Sequence, residues 1–198
     1  MEYTPSKLVG TRVRLEPIEK RHLEDLYPTT RESYSFLRPS VFWDSPTFED
    51  FCEKVQLGWS LERTPFIIMN QDNDAVLGST SLGSIDFLNR KLEIGWTWLA
   101  GHAQRMGINT EAKWLLLRHA FEDLGMIRVQ LMTHHLNTQS QRAIEKLGAV
   151  REGFLRNHMV YPDGHIRHTV VYSIVDAEWP EVKERLSTQL KGYPDVHS

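Results

Sequence analysis

Apolar residues recur along the chain at two spacings, near two in short runs and near 3.6 in longer ones. Residues 12–18 set Val13, Leu15 and Ile18 among polar neighbours, which predicts a strand. Residues 20–27, with Leu23 and Leu26 three apart, predict a short helix. Residues 31–43 are aromatic-rich and irregular, and Pro39 lies within them. Ser45-Pro46-Thr47 opens a second helix, where proline suits the first turn and Phe48, Phe51, Val55 and residues 57–59 supply the apolar face. Phe66-Ile67-Ile68-Met69, the polar turn 71–74 and Ala75-Val76-Leu77-Gly78 form a hairpin signature, and residues 80–85 extend its second strand. Asn89-Arg90 turns the chain into a strand over 92–99.

A long apolar helix is predicted for 112–124 and a further strand for 128–133. Residues 138–147 read as a helix closed by Gly148. Strands 150–160 and 169–175 pair through Pro162-Asp163-Gly164, and a last helix spans 178–190, where Pro180 fits only the first turn. Four strand candidates thus precede the crossover helix, and the strand–loop–helix–strand connection makes the strands flanking it parallel. The class is α+β: a mixed, mostly antiparallel sheet with helices on both faces.

The loop inside that crossover is Gln104-Arg105-Met106-Gly107-Ile108-Asn109-Thr110. It ends at a helix N-terminus, where unpaired amides and the helix dipole favour a phosphate. Gly107 lets the backbone approach closely, Asn109 tolerates a left-handed conformation and Thr110 suits a helix cap. The loop has neither the Lys-Ser/Thr ending of a nucleoside-triphosphate loop nor a Gly-x-Gly-x-x-Gly pattern, so its backbone amides would do most of the holding. An ordinary turn is the alternative reading.

Bulk composition narrows the classes further. A chain of 198 residues with 40% hydrophobic content can bury one substantial core, and a single domain over residues 1–198 is expected. Basic and acidic residues number 23 and 26, giving a net charge of −3, so neither nucleic acid nor an acidic membrane is expected as a partner. The lone cysteine, Cys52, fits a reducing compartment and the role of a small packed hydrophobe. No signal pattern opens the chain and no run approaches the ~20 apolar residues of a membrane span, so a soluble cytoplasmic protein is expected. Nine histidines are many, yet no spacing matches a closed metal set, and none is expected.

Residues 104–113, Gln-Arg-x-Gly-x-Asn-Thr-Glu-Ala-Lys, resemble the acyl-CoA-binding motif of GNAT N-acetyltransferases in its RimJ/RimL-type variant, with Asn109 where the superfamily usually has a small residue. The resemblance continues through His119-Ala120-Phe121-Glu122, Asn137-x-x-Ser140, Ala143-Ile144-x-Lys146-Leu147-Gly148 and Glu178-Trp179-Pro180. The N-terminal Leu8-Val9-Gly10-x-Arg12-Val13-x-Leu15-x-Pro17 matches too, so nearly the whole chain is covered in order. The resemblance implies a GNAT fold whose central parallel strands splay apart around a pantetheine arm. It also implies acetyl-CoA as donor and a primary amine as acceptor, either a protein N-terminal α-amine or a small molecule. By the same resemblance, backbone groups of Trp98 and Leu99 pair with pantetheine, and Gln104 through Thr110 wrap the pyrophosphate; Arg105 either adds a contact to a phosphate or is a solvated loop cation. Asn137 helps hold the pantetheine, and Ser140 lies near the sulfur.

Acetyl transfer needs a base, because an amine is largely protonated near neutral pH. Glu93 is the leading candidate, acting through water: apolar neighbours would bury it and raise its pKa, and alternation puts it on the face of Gly95, opposite Leu92 and Ile94. A surface carboxylate paired with Arg90 or Lys91 is the plain alternative. His134 and His135 are rival bases. Asn137 and Thr138 would also serve as simple helix caps. Tyr34, Phe36, Trp43 and Trp96 are candidates for an acceptor wall, or for core. His168 stands where the family often has aspartate, which weakens any transfer of that residue's role. Edge strands leave a homodimer open. A different class of function, an acyl-CoA-binding sensor without efficient transfer, would use the same cleft.

Overall fold

The computed structural model describes residues 3–32, 47–59, 63–161 and 164–193. Among the described residues, eight strands form one sheet: β1 (Leu8–Val9), β2 (Val13–Pro17), β3 (Arg63–Asn70), β4 (Val76–Asp86), β5 (Lys91–Leu99), β6 (Arg128–His134), β7 (Val150–Val160) and β8 (Ile166–Val175). Their order across the sheet is β1-β2-β3-β4-β5-β6-β8-β7. Among these eight described strands only β5 and β6 pair in parallel, so the sheet is mixed and mostly antiparallel, as the pattern predicted.

Among the described residues, five α-helices accompany the sheet: α1 (Leu23–Glu32), α2 (Phe48–Trp59), α3 (Ile108–Arg118), α4 (Thr138–Lys146) and α5 (Trp179–Lys191). Two apolar clusters place them on opposite faces. Leu115, Leu116 and Leu117 of α3, Ile144 of α4 and Val182 and Leu186 of α5 join Leu92, Ile94, Val129 and Leu131 of the sheet. Leu23 and Leu26 of α1 and Phe51 and Val55 of α2 cover Ile67 and Met69 on the other side. Burying each such side chain is worth about 1.5–3 kcal/mol, enough to fix which face every strand presents. Cys52 packs half-buried against the second cluster.

Two expectations need revision, and one strand was not foreseen. The crossover helix begins at Ile108, a turn earlier than residue 112, and ends in one π-helical turn over His119–Asp123. There the Leu124 N–H reaches the His119 carbonyl five residues back, and the His119 ring bonds Asp123 at 2.7 Å. Residues 20–22 form a 3-10 turn rather than α-helix, and α1 runs on past Pro28. The short strand β1 had no periodic signal, being only two residues long. Tyr34, Phe36, Trp43 and the turn residues Pro162 and Asp163 lie outside the described residues.

The central feature is where pairing stops. β5 and β6 bond in register at Lys91↔Arg128, Leu92↔Val129 and Glu93↔Gln130, and no further. β5 nevertheless continues to Leu99 alongside β4, and β6 to His134 alongside β8. Each strand keeps its outer partner while the inner edges separate, which leaves a wedge with Glu93 and Gln130 at its narrow end.

Candidate active site

The loop between β5 and α3 sits at the wide end of this wedge. Gly107 takes φ = 79° and serves as the α3 N-cap, and Arg105 takes φ = 66°. Gly107 meets two requirements at once, because a Cβ there would also lie 2.6 Å from the Tyr193 ring. The first helical bond runs from the Glu111 N–H to the Gly107 carbonyl at 2.9 Å, so the amides of Ile108, Asn109 and Thr110 carry no intrahelical bond. Asn109 and Thr110 lie inside the helix, contrary to expectation: Arg105 and Gly107 take the left-handed turns, and Thr110 is third in the helix rather than its cap. Asn109 and Thr110 line a small cavity with Ala143 and Lys146 of α4. Gln104 and Met106 are half-buried, whereas Arg105 is exposed, free to reach an anion.

Along β5, the Trp98 carbonyl presses on Gly78, and the Ala100 N–H bonds the Leu77 carbonyl at 2.8 Å. Strand alternation therefore turns the main chain of Trp98 toward β4 and that of Leu99 toward the wedge. A pantetheine arm in the wedge would meet Leu99 more directly than Trp98.

On the other wall, Asn137 is the N-cap of α4, its Oδ1 accepting the Ser140 N–H at 2.9 Å. The capping alternative thus holds for Asn137 but not for Thr138, which is the first helical residue. The Asn137 amide group still has its NH2 donors, and Ser140 is a half-buried hydroxyl in the first turn.

At the narrow end, register gathers side chains from five strands into one row. Arg63 of β3 pairs with Gly83 of β4, Gly83 with Glu93 of β5, Glu93 with Gln130 of β6, and Gln130 with Ser173 of β8. Residues in register share a face, here the one opposite α3. Glu93 is 7% exposed and bonds Gln130 rather than Arg90, which bonds the Gly125 carbonyl instead. Burial pushes the Glu93 carboxyl up to about 7, with Gln130, Arg167, Arg63 and Lys113 opposing in part. Glu93 lies on the Gly95 face, as alternation predicted: a Cβ on Gly95 would stand 3.2 Å from its Oε1. Trp96 lies over Gly83, which leaves room for its ring, and the Arg63 guanidinium stacks 4.8 Å from the ring centre.

The rival histidines sit at the end of β6, their rings stacked 4.6 Å apart. His134 Nδ1 accepts the Leu136 N–H at 3.0 Å, so that nitrogen is occupied. Burial and the neighbouring His135 and Arg167 lower its pKa to about 4, which makes it a poor base. His135 Nδ1 lies 3.3 Å from the His168 carbonyl. Glu93 is the better placed of the three.

Reading the sequence left out Arg63 and Gln130, which strand register brings into the row of Glu93, and Arg167 of β8, whose charge acts on Glu93. It also gave no role to Lys113, although a lysine among the apolar residues 112–117 was a visible anomaly. Lys113 is 5% exposed and donates to Thr80 Oγ1 at 3.0 Å and to Thr97 Oγ1, on the helix side of the sheet.

Comparison with known proteins agrees with this architecture. Residues 12–150 match the family described as "Acetyltransferase (GNAT) domain". The "Putative ribosomal N-acetyltransferase YdaF" of Bacillus subtilis is 35% identical over 105 residues, 53% of this chain. The chain spans 56% of that relative's length. A GCN5-related N-acetyltransferase from Brucella melitensis superposes with a TM-score of 0.85 at 28% identity, covering 93% of this chain and 85% of its own. A protein from T. thermophilus, crystallised as a "putative acetyltransferase", gives a TM-score of 0.80 at 37% identity, covering 96% of this chain and 100% of its own. With a matched domain over most of its length and the splayed strand pair that the family resemblance implied, the chain belongs to the GNAT acetyltransferase family.

Proposed function

We propose that this protein is an N-acetyltransferase that moves an acetyl group from acetyl-CoA to a primary amine in a ternary complex. The observation that carries the reading is a buried carboxyl group, Glu93, at the narrow end of a wedge whose wide end opens beside a helix N-terminus. Amides at 105–110 would hold the diphosphate, and the arm would run along Leu99 toward Glu93. The thioester then lies within reach of Ser140 and Asn137 on one wall and of residues 95–97 on the other.

In this scheme the amine enters from the face opposite α3, past Trp96, Arg63 and Arg167. Glu93 takes a proton from it through water, and the nitrogen lone pair attacks the thioester carbonyl carbon. The tetrahedral intermediate collapses with cleavage of the C–S bond, and the second surplus proton on nitrogen passes to the departing sulfur, giving the neutral amide and the free thiol. The thiolate leaves beside the α4 N-terminus, where the helix dipole and the Ser140 hydroxyl offset its charge. A base with a pKa near 7 suits this role, since it is both partly ionised and strong enough at neutral pH.

A protein N-terminal α-amine is the acceptor best supported, on the strength of the ribosomal relative's name. Free-thiol release from acetyl-CoA should be measured against short peptides beginning with Ala, Ser or Thr and against spermidine. Faster release with one or more peptides is the expected result. Release at the no-enzyme rate with every amine, despite acetyl-CoA binding by calorimetry, would instead assign the chain to a binding module that does not transfer.

A further inference from the structure

Lys113 belongs to none of the steps above, yet its setting is costly. A buried ammonium group is tolerated when a carboxylate neutralises it, and the partners of this one are two neutral hydroxyls, Thr80 and Thr97. No ion pair to Lys113 occurs among the described residues. The two hydroxyls lie 2.8 Å apart and both approach the Gly95 carbonyl, Thr97 at 3.2 Å and Thr80 at 3.5 Å. An ammonium group only donates, so each threonine accepts from Lys113 and must spend its own proton elsewhere. One O–H goes to the other threonine, and the remaining O–H goes to the Gly95 carbonyl. The two bonds that Lys113 donates thereby set the direction of the whole chain of bonds, and an amine with two hydrogens can donate both as an ammonium group can.

That chain ends on the most irregular part of the wedge wall. The β4–β5 register slips between Ser79↔Trp98 and Ser81↔Gly95, so β5 carries one extra residue there. Trp96 takes φ = 49°, a conformation costing a bulky residue about 1–3 kcal/mol unless its surroundings enforce it. From the front, the fit of the Trp96 ring over Gly83 enforces it. From behind, the lysine–threonine chain does.

Resting on the transfer reading above, we infer that Lys113 is a positioning residue, which fixes the Gly95–Trp96–Thr97 kink and with it the wall against which the thioester and Glu93 are aligned. The field of Lys113 also acts on Glu93, drawing its pKa down against the effect of burial. Lys113 thus has two separable effects: a mechanical one through Thr97 and an electrostatic one through the sheet.

The test compares the full-length wild type with Lys113→Met and Thr97→Val. The methionine change removes charge and donors at similar volume, so Tm should hold or rise, with the gain largest below pH 7, where Lys113 is charged, and fading toward pH 10. Amide hydrogen exchange at Trp96 and Thr97 should nevertheless be at least tenfold faster in both variants, with α3 unchanged. The Glu93 midpoint, followed by carbon-13 NMR, should move up in Lys113→Met and stay in place in Thr97→Val. With any peptide the wild type accepts, kcat should fall at least tenfold in both variants while KM for acetyl-CoA stays within threefold. Unchanged exchange at residues 96 and 97, or faster exchange with unchanged kcat, would overturn the inference. If the wild type itself fails to bind acetyl-CoA, the transfer reading falls first. Where the wild type binds acetyl-CoA but uses no amine tried, the exchange rates and the Glu93 midpoint decide alone.

Discussion

Burial favours the protonated form of Glu93, so its folded pKa of about 7 stands above the ordinary 4.5. A raised carboxyl pKa contributes stability that is complete below the unfolded value and lost as pH rises through the folded one. The window is therefore pH 4.5 to 7, and the amount is about 3 kcal/mol, at 1.36 kcal/mol per pKa unit. Glu93→Gln removes the titration. The variant's Tm should match or trail the wild type at pH 4.5, overtake it as pH rises, and keep a constant lead above 7. Its kcat should drop by about 10²–10³, the usual loss for a general base, and the acidic limb of the wild-type rate profile near pH 7 should disappear. Thermal melts and rate profiles on the same two proteins check both halves. Glu93 was legible as a candidate from its neighbours Leu92 and Ile94, because alternation and hydrophobicity act locally, while the surface alternative stayed open until burial was seen. Gln130, Arg63 and Arg167 were not legible, because each comes to Glu93 from a distant part of the chain.

The crossover β5–loop–α3–β6 could be read at the level of elements, since each part carries its own period and Gly107 marks the turn. The details that escaped were set by competition between neighbours. Asn109 was a candidate for the left-handed position, but Gly107 meets that need at no steric cost, so the helix starts early and draws Asn109 and Thr110 inside. Gly107→Ala should destabilise the protein by about 1–2 kcal/mol through its positive φ, with further loss from the Tyr193 ring, and should weaken acetyl-CoA binding at least tenfold by calorimetry. At the opposite wall, Asn137→Ala removes the bond to the Ser140 amide. About 1 kcal/mol of stability should go with it, or roughly 2–4 °C in Tm for a chain of this size. Asn137→Ser keeps a capping oxygen and should restore the Tm. If it leaves acetyl-CoA affinity low, the NH2 group of Asn137 touches the ligand as well.

At the scale of the molecule, the sheet is nearly two sheets. β1 to β5 are joined continuously, as are β6, β8 and β7, and only three in-register pairs link the two sets within the sheet. The remaining connection comes from α3, α4 and α5 packed across the back. An acetyl-CoA lying in the wedge would touch both sets and supply the bonds that the parting strands lack. Binding to the folded state alone stabilises by RT ln(1 + [L]/Kd), about 2.7 kcal/mol at a hundredfold excess over Kd. At about 2–4 °C per kcal/mol, Tm should rise by about 5–10 °C under those conditions. Amide exchange should slow at Leu99 on one wall, at residues 131–134 on the other, and across 105–110, while the outer strands β1 and β7 stay as they were. Protection confined to the loop would place the phosphates correctly but leave the arm outside the wedge. Glu93 would then face no thioester, and the proposed chemistry would fail on geometry even though the ligand binds.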